Sequence, residues 1–278
     1  MKKLLFLFLL TPFIGMAQLS PTFKKHWFDG FAEINSYELT QSRYGQQRKG
    51  KAVLIFVTED FLAKEQVKAN QKSKTTIPVL KSNRTKSFLT GIYPYSIMSS
   101  SFSSLKKKHP LIKTVASIQE WCGQSYLQLN AREKENTLVS HSYFEGEADQ
   151  NLKLPKTVSE DELWNLIRLN PKNLPQGEFI LLPSLEIIRL NHIEAKAVKA
   201  TASLEGGNYT LYIPSLQRSL SIHFDQNFPY TIEGWEEKYD HKGEQYTSTA
   251  KRINTERRQY WQENNTASTR FRAPFKLD

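Results

Sequence analysis

Three segments in the middle of the chain, residues 112–121, 125–133 and 137–145, have strand length and are parted by only a few glycine, charged or asparagine residues. Connections this short join antiparallel neighbours, because a parallel pair needs a crossover of a dozen or more residues. The same pattern extends both ways. Residues 32–43 and 51–58 read as a hairpin around the polar turn 44–50, and the apolar run from Ala52 to Val57 suits a strand covered on both faces. Residues 67–76 read as a loop, with strands following at 77–83, 85–90 and 95–102. Further strands are expected at 179–182, 185–190, 194–203, 209–213, 218–224, 231–239 and 247–254. Among them Leu220, Ile222 and Phe224 alternate with Ser219, Ser221 and His223, giving one face to a core and one to water.

One segment has helical spacing. In residues 159–169, Ser159 can cap, Glu162 is its capping-box partner, and Leu163, Leu166 and Ile167 form a stripe that Trp164 extends. Asn170-Pro171 ends it, since the residue before proline is pushed out of helical geometry. The expected fold is therefore mainly β: a large curved antiparallel sheet or half-barrel, lipoprotein-carrier-like by analogy, with one main helix covering or plugging it. Tyr93-Pro94-Tyr95-Ser96-Ile97 and Phe228-Pro229-Tyr230-Thr231-Ile232 echo each other, and proline favours strand starts. The single β-rich domain, 18–278, can thus be read as two similar halves at about 18–155 and 156–278.

The first residues have a basic start (Lys2, Lys3), an apolar run from Leu4 to Ile14, and small residues at Gly15 and Ala17. This is the layout of a secretory signal peptide, residues 1–17, cleaved after Ala17. Gln18 stands where a lipid-anchored signal would need cysteine, and no other segment approaches the roughly 20 apolar residues of a transmembrane helix. The expected destination is the periplasm or the medium. Cys122 is the sole cysteine, so no internal disulfide can form. The formal charge of +10 falls to +8 without Lys2 and Lys3. Its lysines and arginines are scattered, and the one compact run, Lys106-Lys107-Lys108, reads as a solvated turn. Scattered charge and export argue against a nucleic-acid partner.

Candidate chemistry gathers in residues 114–150. Cys122, between Trp121 and Gly123, could act as a nucleophile with His141 as base and Glu120 beside it. A lone cysteine in an apolar strand is otherwise a small buried hydrophobe, and Trp121, Cys122 and Tyr126 read on that view as core residues. His141, Tyr143, Glu145 and Glu147 would share a face if their strand ran that far; Gly146 and the acids around it read more simply as a turn, so no metal site is expected. The chain also holds 33 aromatic residues. Those near turns include Trp121, Tyr143 and Trp235, candidates for lining the mouth of a curved sheet. No phosphate loop, GxSxG elbow, HExxH, paired CxxC or dinucleotide fingerprint occurs, and no cofactor is implied.

The segments WFDGFAEINSYELTQSRYG, KAVLIFVTEDFL, GIYPYSIM, SIQEWCGQSYLQLN, SHSYFEGEADQN, EDELWNLIR and NFPYTIEGWEE together resemble an uncharacterised exported family of the Bacteroidota. Its members often carry the label septum formation inhibitor Maf. That label implies a nucleotide pyrophosphatase with a serine- and arginine-containing phosphate motif near its start. No such motif stands there in this chain, so the resemblance implies export and a β-rich fold and supplies no catalytic residue. The expected function is that of a non-enzymatic periplasmic protein binding a lipid or other apolar ligand, or a cell-envelope partner. The alternative is an exported hydrolase with a site around Cys122 and His141.

Overall fold

A computed structural model describes residues 19–106, 110–241 and 243–277. The signal segment read at 1–17 lies outside the described residues, as do Lys107, Lys108 and His109 of the basic turn. The first half of the chain supplies β1 (Ala32–Arg43), β2 (Gln46–Leu62), β3 (Val67–Lys68), β4 (Thr76–Thr90), β5 (Tyr93–Ser104), β6 (Leu111–Glu120), β7 (Gly123–Ala131), β8 (Asn136–Ser142) and β9 (Gln150–Leu154). The second supplies β10 (Val158–Ser159), β11 (Gly177–Leu182), β12 (Val198–Glu205), β13 (Asn208–Ile213), β14 (Arg218–Phe224), β15 (Ile232–His241) and β16 (Glu244–Arg258). Three α-helices join them: α1 (Pro21–Trp27), α2 (Glu160–Leu169) and α3 (Leu185–Leu190).

All sixteen strands belong to one sheet. Its order runs β10-β11-β12-β13-β14-β15-β16-β1-β2-β4-β5-β6-β7-β8-β9, with β3 paired to β2. Every pairing is antiparallel except that of the two-residue β10 with β11. The last strand thus lies beside the first: β16 pairs β1 from Ala32↔Arg258 to Thr40↔Thr249. The sheet stays open, because its ends, β9 and β10, are successive in sequence without pairing. Register shifts at Ser36/Tyr37, Phe102/Ser103 and His223/Phe224 supply local bends of the kind that curl a sheet. Gly50 and Gly234 permit close contact between strands; an added Cβ would fall 2.3 Å from the carbonyl oxygens of Ser87 and Ala250 respectively.

Curling gives the sheet an inside, and the chain fills it with α2 and α3. The central strands point alternate residues inward: Tyr95, Ile97, Ser99 and Ser101 from β5, Ala116 and Ile118 from β6, Leu127 and Leu129 from β7. Against them α2 buries Leu163, Trp164, Leu166 and Ile167, and α3 buries Leu185, Ile187, Ile188 and Leu190. The expected covering helix is therefore a plug, and it has a shorter companion.

Several segments differ from the sequence reading. Residues 185–190 are helix α3 and not a strand. The segment divided at Arg84 is one fifteen-residue strand, because Arg84 points inward to Asp161. A two-residue strand, β3, opens the segment read as a loop. In β2, Ala52, Leu54 and Phe56 are buried while Val53 and Ile55 are only half-buried, so the strand is not equally covered on both faces. Helix α1 starts the described chain, its N-cap Ser20 accepting from the Phe23 amide with Pro21 in the first turn. The final ten-residue 3₁₀ segment, Thr266–Phe275, ends on a buried Phe275.

Candidate functional site

The interior of the curl is held by charge. Glu160, Asp161 and Glu162 occupy the first turn of α2, where carboxylates favour the positive helix end, yet all three are buried. The Glu160 carboxylate accepts from Arg218 of β14 at 2.8 and 2.9 Å, and Arg218 Nε donates to Glu237 of β15 at 2.6 Å. Asp161 pairs with Arg84 of β4 and also accepts from the Ser184 hydroxyl at 2.8 Å and the Leu185 amide at 3.0 Å. The acid of one helix thereby caps the start of the next. Lys86 donates to Glu186 of α3 at 2.7 Å. At the other end of α2, Arg168 clasps Glu33 of β1 through two bonds and donates through Nε to the Pro229 carbonyl.

These pairs set the protonation states. Burial alone would raise Glu33, but the Arg168 charge, with bonds from His26 and Asn35, holds it well below the usual carboxylate range. Glu237 is likewise lowered by Arg218 against the pull of burial. Glu162 has no cation; burial raises it to about 7 although the Leu111 and Ser159 amides favour its charged form. Between the charged wall and the two helices remains a space of about 20 Å³, enough for one water molecule. The concave face expected to receive an apolar ligand is occupied by the protein's own helices.

The outside is apolar at one end. Because the meander alternates direction, the β1–β2, β4–β5, β6–β7 and β8–β9 turns share one rim. On it Leu89, Ile92, Trp121 and Tyr143 are 59%, 83%, 68% and 71% exposed. The rings form a chain: Tyr44 and Tyr95 join hydroxyls at 2.6 Å, Tyr95 and Tyr93 lie 6.0 Å apart, and Tyr93 and Trp121 6.3 Å apart. Tyr143 lies over Gly123, where an added Cβ would stand 2.9 Å from its ring. Arg43 braces the rim from within, 4.5 Å from the Tyr44 ring centre and bonded to the Leu190 carbonyl of α3.

The residues singled out from sequence fall in three places. Trp121 and Tyr143 are on the rim. Trp235 is inside, 5.2 Å edge-to-face from Trp164 and 4.9 Å from Tyr37. Cys122 is exposed in the β6–β7 turn, so the core role read for Trp121, Cys122 and Tyr126 is overturned: a two-residue turn leaves Trp121 and Cys122 no interior to enter, and the period of two sends Tyr126 outward. The carboxylate of Glu120 accepts the Cys122 amide at 2.7 Å and pushes the thiol pKa up, opposite to the activation a nucleophile requires. His141 faces Tyr126 across β7–β8, four residues beyond the turn holding Cys122, or about 13 Å along a strand. It pairs with Asp149 instead. The strand ends at Ser142, and Glu147 turns to His192 and Ser142, so Glu145 and Glu147 do not extend the face of His141. Sequence reasoning passed over the buried charges. Three successive acids opening a helix match its dipole and read as solvated capping, with no sign that basic partners wait on strands far away in the chain.

The architecture is that of an open, plugged, β-barrel-like sheet. No protein-family model and no curated protein matches the chain. Among solved structures, a β-barrel-like protein of a domain of unknown function from Brucella abortus is similar at a TM-score of 0.41 and 7% identity, over 82% of this chain and 98% of that one. A porin-like protein from Bacteroides uniformis matches at a TM-score of 0.23 and 8% identity, over 81% of this chain and 96% of that one.

Proposed function

We infer that this is an exported, non-enzymatic binding protein of the cell envelope, and that it docks on a lipid surface through its aromatic rim. The observation that carries this reading is the exposure of Leu89, Ile92, Trp121 and Tyr143 at hairpin tips of one rim. Apolar side chains grouped in this way mark interaction surfaces, and tryptophan and tyrosine suit the boundary between headgroups and acyl chains. A signal-like start and the resemblance to an exported Bacteroidota family agree with such a destination. With α2 and α3 inside the curl, the ligand meets the rim and not the concave face. Among the described residues no helix is long and apolar enough to cross a membrane.

Sedimentation with vesicles of phosphatidylethanolamine and phosphatidylglycerol tests the reading. The purified protein is expected in the vesicle pellet, and Ile92→Ser combined with Trp121→Ser should lower its partition by about tenfold or more, from the apolar area lost. Unchanged partition in the double variant, or none in the wild type, overturns it.

A further inference from the structure

A second surface lies on the outer face of β6, β7 and β8, below the rim. Ser117, Tyr126 and His141 are successive partners across these strands, while their neighbours Ala116, Leu127 and Ser140 are buried on the opposite side. Gln119 and Gln124, paired with each other, form the next row. The loop after β8 brings Asp149 beside this lattice, and the groups together line an open cleft of about 330 Å³. That volume lies within the range of small-molecule sites.

The chemistry of the cleft is narrow. It contains no lysine or arginine, and its single carboxylate, Asp149, is engaged by His141 Nδ1 at 2.9 Å. An anionic ligand would find no cation there except a protonated His141, and an apolar one would meet amides and hydroxyls. By contrast, no hydrogen bond engages the side chains of Ser117, Gln119 or Gln124, which can both donate and accept. With Asp149 accepting from Nδ1–H, the neutral ring of His141 leaves Nε2 as an acceptor. Tyr126, 39% exposed, adds an aromatic surface whose hydroxyl is tethered to Gln128 at 2.6 Å. Three strands span about 10 Å and two rows about 7 Å, the footprint of one or two sugar rings.

We propose that this cleft binds a neutral saccharide, with Gln119, Gln124 and His141 bonding its hydroxyls and Tyr126 packing on the C–H face of a ring. The site is separate from the rim and does not depend on the lipid-docking reading.

A panel of immobilised neutral and anionic glycans, probed with purified protein, tests it. The wild type is expected to retain at least one neutral glycan. Gln119→Ala combined with Gln124→Ala should weaken that binding by about tenfold, as the loss of two ligand hydrogen bonds implies, and Tyr126→Ala by a similar factor. These side chains lie on the outer face, so the melting temperature should hold; Trp121→Ser should leave glycan binding unchanged. Retention of no neutral glycan, retention of anionic glycans alone, or binding insensitive to the cleft substitutions overturns the proposal.

Discussion

Arg168 of α2 and Glu33 of β1 form a two-pronged ion pair, Nη1 to Oε1 at 2.6 Å and Nη2 to Oε2 at 2.7 Å, with both side chains almost wholly buried. The guanidinium also stands 4.7 Å from the Phe56 ring centre and 5.2 Å from that of Trp27. The plug helix is therefore fixed to the first strand at the seam where the two halves of the chain meet.

Removing one member of this pair should leave the other charged and buried. Arg168→Ala is expected to destabilise the fold by about 3–5 kcal/mol in urea denaturation. Adding Glu33→Leu to it should recover part of that loss, since no isolated carboxylate then remains. An additive double variant would show that the pair is uncoupled.

Glu162 should impose a pH dependence of its own. Its folded pKa, about 7, lies above the ordinary value of 4.5, so folding favours the protonated form. This contribution is complete below about pH 4.5 and is lost as pH rises through 7, a fall on the order of 3 kcal/mol. Glu33 and Glu237, whose pKa values are lowered, act in the opposite sense and at more acidic pH. Glu162→Gln should abolish the decline between pH 5 and 7.5 in urea denaturation; an identical decline in the variant would contradict this assignment.

The Cys122 thiol should be accessible but sluggish. Native protein is expected to take up one equivalent of iodoacetamide, slowly at pH 7 and faster as pH rises, because Glu120 disfavours the thiolate. Glu120→Gln should quicken the reaction by a few-fold at pH 7. A thiol that reacts equally fast in both proteins would show that Glu120 does not control it.

The alternation of Leu220, Ile222 and Phe224 was legible, and so was the helix at 159–169, because hydrophobic periodicity is local; Ser159, read as its cap, stands at the N-cap position but its side chain makes no capping hydrogen bond. Long-range partners were not legible. Residues 185–190 read as a strand, yet the Leu185 amide finds a cap in Asp161 from another helix. Arg84 looked like a break between strands because a charge facing inward is legible only with its acid in view. Trp121 and Tyr143 were recognised near turns, whereas Trp235 was placed with them although its β15 register turns it toward Tyr37 and Trp164. The outer cleft depends on lateral register, Ser117↔Tyr126↔His141, which strand spacing in the sequence does not set.

Trp121 offers the most direct test of docking at the rim, because it is 68% exposed there, whereas Trp27, Trp164 and Trp235 are buried and Trp261, 44% exposed, follows β16 beyond Arg258, which pairs with Ala32 at the opposite end of β1. Vesicles containing brominated acyl chains should quench the tryptophan fluorescence of the wild type, and Trp121→Phe should remove most of that quenching. Quenching that persists unchanged in Trp121→Phe, or no quenching of the wild type, would contradict docking through the rim.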